Sequence, residues 1–187
     1  MAAVAPAVAL LVAACSNDGR TLAPASPDQT ASIITTSTLP PDATFQLATP
    51  FGSTTPIQQQ YTCEGDDISP PLSWVAVPTG TAELALVVTD TDADDFVHWV
   101  IAGMDPEIVT EILEGQPPRT AVEADNDFGR LGWSGPCPPG GETHSYVFTL
   151  YALSESVSLD SGMAPDEAIG LIQGASAEQT SVTAVFP

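Results

Sequence analysis

Two imidazoles, a pair of neighbouring carboxylates and a phenol are the groups of this chain whose types and spacing could do chemistry. His98 and His144 are its only histidines. Asp90 and Asp92 stand two apart at the end of an apolar run, and a strand carried that far turns both carboxylates to one face. His144 and Tyr146 are also two apart, at the start of a β-branched and aromatic stretch, so they share a face as well. An imidazole beside a carboxylate has its pKa raised and carries charge near neutral pH. Histidine donors suit a phosphate or carboxylate oxygen, and the Asp pair suits an ammonium or a hydroxyl. Gathered at strand ends, the set suits a zwitterionic headgroup. The spacing leaves a plainer reading open, because Asp-x-Asp is also a common solvated strand end and a lone histidine is commonly structural.

Other chemistries have less support. The chain has no G-x-S-x-G turn, no H-E-x-x-H helix and no glycine loop of the phosphate-cradling kind. No two of its histidines and aspartates have the short spacing of a zinc site, so neither metal nor cofactor is expected. A Ser-His-Asp triad does not require closeness in sequence, but nothing singles out a serine.

Charge narrows the partners. Asp and Glu total 24 against 3 Lys and Arg, for a formal net charge of -21, and no lysine is present. Such a field repels nucleic acid and anionic lipid surfaces. No nucleic-acid partner is expected, and membrane contact is expected only through a lipid anchor.

That anchor has a candidate. Residues 2–14 are uncharged and apolar, too few for a spanning helix, which takes about 20. They have the length of a signal-peptide core, although no basic flank precedes them. The run ends Val12-Ala13-Ala14-Cys15, which resembles a bacterial lipobox whose cysteine is acylated. Residues 1–15 are therefore expected to be a lipoprotein-type signal with Cys15 as the lipidation site. Residues 16–43, rich in Ser, Thr, Pro and Ala, cannot offset their ordering entropy by burial and are expected to be a flexible tether. The protein is expected to be exported and held outside the cytoplasmic membrane.

The remaining residues, 44–187, must position the polar set. Leu84–Val88 is a short apolar run typical of a strand buried on both faces. Phe96–Ala102, Ser145–Tyr151 and Ser181–Phe186 are further candidate strands, separated by Pro/Gly-dense turns such as 135–141. Pro165, Asp166 and Glu167 open one helix, Gly174 is expected to close it, and Ala168, Leu171 and Ile172 form its apolar stripe. The class is mainly β, with one or two short helices.

The ordered motifs are more specific than any one of them. Tyr61-Thr-Cys-Glu-Gly65, Ile68-Ser-Pro-Pro-Leu-Ser-Trp74, Pro78-x-Gly80-Thr81, Asp90-Thr-Asp-Ala-Asp94 and His98-Trp99 are followed by Asn126-x-Phe-Gly129, Gly132-Trp-x-Gly-Pro-Cys-Pro-Pro139 and His144-x-Tyr146. This series resembles the bacterial Raf-kinase-inhibitor-like branch of the phosphatidylethanolamine-binding protein family. The resemblance implies a Greek-key antiparallel β-sandwich, a large sheet on a smaller one, with short peripheral helices. It implies a ligand pocket at Asp90, Asp92, His98, Pro138, His144 and Tyr146, for phosphate-like anions or zwitterionic headgroups. It also places Cys63 and Cys137 on the loop side, where two cysteines left after acylation of Cys15 are expected to pair.

The chain departs from the family pattern in four places. Thr91 and Asp94 stand where prolines are usual, Ser145 where an Arg is usual, and Phe186 where a tyrosine is common. Loss of the Arg and the added carboxylates of Asp94 and Asp95 make the rim less welcoming to bare anions. The leading expectation is a non-enzymatic binding module for a small anionic or zwitterionic ligand. The alternatives are an inhibitor that works through a protein partner, and a hydrolase using a histidine and a carboxylate.

Overall fold

The structure, a computed structural model, describes residues 43–52 and 55–187. The signal segment with Cys15 lies outside the described residues, as does all but the last residue of the expected tether.

Among the described residues, eight strands form two antiparallel sheets. The smaller has the order β1 (Gln46–Ala48), β2 (Leu72–Val75), β5 (Glu111–Ile112). The larger has the order β6 (Val122–Glu123), β4 (Phe96–Met104), β3 (Glu83–Asp90), β7 (His144–Leu153), β8 (Ser176–Phe186). One helix, α1 (Pro165–Ala175), and a single 3-10 turn, Gln59–Tyr61, complete the elements among the described residues. This is the expected sandwich of a large and a small sheet.

The apolar run of β3 is explained by burial on both sides. Leu84, Leu86 and Val88 point into the core between the sheets, with Leu72, Trp74 and Ile112 opposite. Ala85 and Val87 point the other way, against Ala168 and Ile172 of α1. A strand with helix on one face and sheet on the other cannot show polar alternation. Each large side chain so buried contributes about 1.5–3 kcal/mol, as an upper bound. β3 is thereby the fixed centre of the molecule, paired along its length with β7 from Glu83↔Leu153 to Asp90↔Tyr146.

The helix differs from its expected pattern in two respects. Ala168, Ile172 and Ala175 are buried, whereas Leu171 is 40% exposed. Small residues let α1 lie close to the sheet, so the buried stripe is narrow and Leu171 falls outside it. Gly174 does not end the helix either. α1 runs through Ala175 and β8 begins at once at Ser176. The turn is made by extended backbone at Ser176, with φ -67 and ψ 125, and no left-handed glycine is needed.

Candidate functional site

β3 ends at Asp90 and β7 begins at His144, and their pairing brings these two groups to the same end of the large sheet. His144 Nδ1 lies 2.7 Å from Asp90 Oδ2. The other oxygen of Asp90 accepts the backbone N–H of Asp92 at 2.9 Å. This fixes the carboxylate plane and starts the turn 91–95. Asp92 then accepts the backbone N–H of Ser145 at 2.7 Å, which ties the turn to β7. Asp94 and Asp95 complete the turn in the left-handed region, at φ 54 and 57, which aspartate tolerates better than most residues.

The third strand contributes through an irregularity. Along β4 the register runs Val88↔Trp99 and then Thr89↔Val97, so His98 has no partner. Strict alternation from Val100 and Ala102, which pack toward α1, would put His98 on the helix side and Val97 between the sheets, whereas Val97 packs toward α1. The bulge re-aims His98 toward the sandwich side, where its ring meets Tyr146 edge-on with centroids 5.2 Å apart. Its Nδ1–H donates to the Ser134 carbonyl at 2.6 Å. A carbonyl can only accept, so Nε2 of the neutral ring is left with its lone pair.

The loops between strands close the site. Asn126 accepts from Phe128 N and Arg130 N at 3.0 and 3.2 Å, and its Nδ2 donates to Gly132 O and Ser134 Oγ at 2.7 and 2.9 Å. This network presents Phe128 beside Phe96. The rings of Phe96, His98 and Phe128 lie at 63–74° to one another with centroids 4.8–5.6 Å apart, and so form an aromatic corner. Opposite stands the segment Cys137–Pro139, held by the Cys63–Cys137 disulfide and by Cys63 N–H donating to Pro136 O at 3.1 Å.

Together these groups enclose a cavity of about 220 Å³ lined by Asp90, Ala93, Phe96, His98, Phe128, Cys137, Pro138, Pro139 and His144. Four of the six residues expected at the pocket, Asp90, His98, Pro138 and His144, form its wall. Two do not. Asp92 is exposed and caps the start of β7. Tyr146 is buried behind His98, and its hydroxyl has no hydrogen-bond partner among the described residues. The spacing of charged groups gave no notice of Phe96 and Phe128. An aromatic just before His98 and the Phe of the Asn126-x-Phe-Gly129 motif were the available signals.

The two histidines differ in charge. Hydrogen bonds to Asp90 and then to Glu142, 3.2 Å from Nε2, raise the pKa of His144. Both its nitrogens face acceptors, as an imidazolium requires. His98 was expected to be charged too, but burial lowers its pKa, against the pull of Ser134 and Asp90. Burial, with the Asp90 charge second, also pushes the Tyr146 phenol upward, so it stays protonated. Neither Arg119 nor Arg130 reaches the cavity wall, and Arg130 lies 3.8 Å from Asp67 instead. The site thus presents one cation, His144, one buried carboxylate, Asp90, a neutral acceptor and an aromatic corner. Among the described residues no group of three or more His, Cys, Asp or Glu could hold a metal ion.

The sequence and the fold have counterparts in known proteins. Residues 48–187 match the sequence profile described as phosphatidylethanolamine-binding protein. The chain belongs to this family. A Mycobacterium tuberculosis protein named as a lipoprotein, LppC, is 37% identical over 173 residues, covering 90% of this chain and 85% of that one. A UPF0098 protein of Methanothermobacter thermautotrophicus is 42% identical over 125 residues, 63% of this chain and 82% of its own. Among solved structures, Escherichia coli YbcL, described as a member of the mammalian PEBP family, superposes with a TM-score of 0.71 at 28% identity, covering 77% of this chain and 98% of YbcL. The PEBP homologue CT736 of Chlamydia trachomatis gives a TM-score of 0.67 at 29% identity, covering 76% of this chain and 97% of that one. Among the described residues no helix is long and apolar enough to cross a membrane.

Proposed function

We propose that this family member is an envelope-tethered binding module whose pocket takes a zwitterionic headgroup bearing a phosphate-like anion and an ammonium. The observation that carries this reading is the Asp90–His144 pair, 2.7 Å apart on the cavity wall. It offers one negative and one positive group to a ligand of matching ends. The ammonium lies against Asp90 and the aromatic corner, where ring faces attract cations. The anion takes the outer nitrogen of His144. A bare anion gains only the second half of this, because neither described arginine lines the cavity. A cavity of about 220 Å³ is also smaller than a typical drug-sized site and suits a headgroup.

The test is an NMR titration following both histidine rings with phosphoethanolamine, inorganic phosphate and ethanolamine. Phosphoethanolamine is expected to bind tightest and to shift both rings. Failure of all three at millimolar concentration would remove the pocket from this protein's function. The tether rests on Cys15 and its lipobox-like neighbours, and the lipoprotein name of the mycobacterial relative supports it.

A further inference from the structure

His144 has a single nitrogen to offer a ligand. Nδ1 is committed to Asp90, whose side chain is only 5% exposed. Nε2 is the remaining donor, and in the structure Oε2 of Glu142 already occupies it at 3.2 Å. The two carboxylates on this ring are unequal. Asp90 is locked by the Asp92 N–H, whereas the Glu142 side chain is 62% exposed and makes no other hydrogen bond.

The backbone that carries Glu142 can give way. Glu142 N–H donates to Pro139 O at 3.0 Å and closes a turn through Gly140 and Gly141. Gly141 has φ +91, and around both glycines no atom lies within 4 Å of where a Cβ would be. Open space on this side lets the carboxylate swing off the ring without disturbing the sandwich. An exposed ion pair of this kind holds its geometry by a factor of about five or less.

We propose that Glu142 is a built-in competitor for the anionic end of the ligand, seated on His144 Nε2 and displaced when a phosphate-type group binds. The proposal rests on the pocket reading above and adds a selectivity to it. Glu142 is tethered two residues from the ring, so its effective concentration there is high, in the millimolar range for a short link. A free carboxylate repeats the chemistry of Glu142 and gains nothing by replacing it. A phosphate monoester brings more charge and more acceptor oxygens, and it displaces the side chain. The pocket thus screens out ordinary carboxylates and admits phosphate-bearing zwitterions.

Calorimetric titration of wild type, Glu142→Ala and Glu142→Gln with inorganic phosphate, phosphoethanolamine and acetate tests this. Glu142→Ala is expected to bind phosphate and phosphoethanolamine about fivefold tighter than wild type, the most an exposed pair supplies, and to gain detectable acetate binding. Glu142→Gln, which keeps an acceptor but no charge, falls between. Equal affinities in all three proteins would overturn the role of Glu142 and leave the pocket reading intact. Weaker binding in Glu142→Ala would make Glu142 a ligand contact and also overturn it. Absence of binding in every protein would take both readings away.

Discussion

Asp90 and His144 form a nearly buried ion pair although 54 positions separate them in the chain. They are diagonal neighbours in the ladder, since Asp90 pairs with Tyr146 and His144 precedes Tyr146 by two. The pair is therefore held by the whole β3–β7 register, and a slip of either strand would part it.

Replacing Asp90 by Asn removes the charge and keeps the shape. The amide oxygen can still accept from Asp92 N–H, but its NH₂ then faces His144 Nδ1–H. A donor meets a donor unless the ring loses its proton. Asp90→Asn is expected to cost about 1–3 kcal/mol in denaturant unfolding and to lower the pKa of His144. Unchanged stability together with an unchanged ring titration would contradict the pairing.

The two histidines should titrate on opposite sides of their common reference value of 6.5. For His144 the folded pKa is raised. Its contribution to stability is complete below pH 6.5 and is lost as pH rises through the raised value. For His98 the folded pKa is lowered. Below pH 6.5 the unfolded chain takes up a proton that the folded ring resists, so stability falls with pH down to the lowered value. The part of the pH profile due to histidine is thus a maximum near 6.5, falling toward the lowered pKa of His98 on the acid side and toward the raised pKa of His144 on the alkaline side, and level beyond each. Urea midpoints at about pH 5, 7 and 9 check this, with His98→Gln expected to flatten the acid side only.

Gly135 is a site of close approach. A Cβ there would overlap the carbonyl oxygen of Tyr61 and lie 2.7 Å from Thr62 Cα, both backbone atoms that cannot rotate away. The Gly135 N–H also donates to Asp67 Oδ1 at 2.7 Å. Gly135→Ala is expected to destabilise by about 3 kcal/mol, the upper part of the usual cost of overpacking, and to loosen the Cys137–Pro139 wall. Gly129, with φ +67 and nothing near its Cβ position, is the control, and its alanine variant should lose about 1–2 kcal/mol from backbone strain alone.

If Cys15 is acylated, protein recovered from a native membrane fraction has lost residues 1–14 and is heavier than the remaining peptide. Intact-mass spectrometry reads this directly. A soluble product with an unmodified Cys15 would contradict the tether.

The centre of the fold was legible because burial on both faces leaves an unmistakable apolar run, as in Leu84–Val88, and because β-branched and aromatic residues mark 145–151. The first half of β8, Ser176–Ser181, was not, since an edge strand facing solvent can be built from Ala, Glu, Gln and Thr that carry no strand signal. β5 and β6, of two residues each, are below the length at which periodicity exists. In the site, the spacing of Asp90 and Asp92 was expected to turn both carboxylates to one face of a strand, but β3 stops at Asp90, and only backbone hydrogen bonding shows that Asp92 spends its carboxylate on Ser145 N–H. His98 was found by residue type, yet its orientation depends on a bulge that alternation counts in the wrong phase. Its charge depends on burial, which its neighbours in sequence do not reveal.

One wall of the cavity is covalent. Cys137 both lines the pocket and forms half of a bridge across 74 positions to Cys63, and a loop of that size contributes about 2–4 kcal/mol when closed. Cutting that bond leaves the Asp90–His144 pair on its strands and frees only the opposing Cys137–Pro139 segment. If the pocket takes a ligand as proposed, a thiol reductant would act on this protein as an antagonist that never enters the pocket, weakening ligand retention while the sheets stay folded.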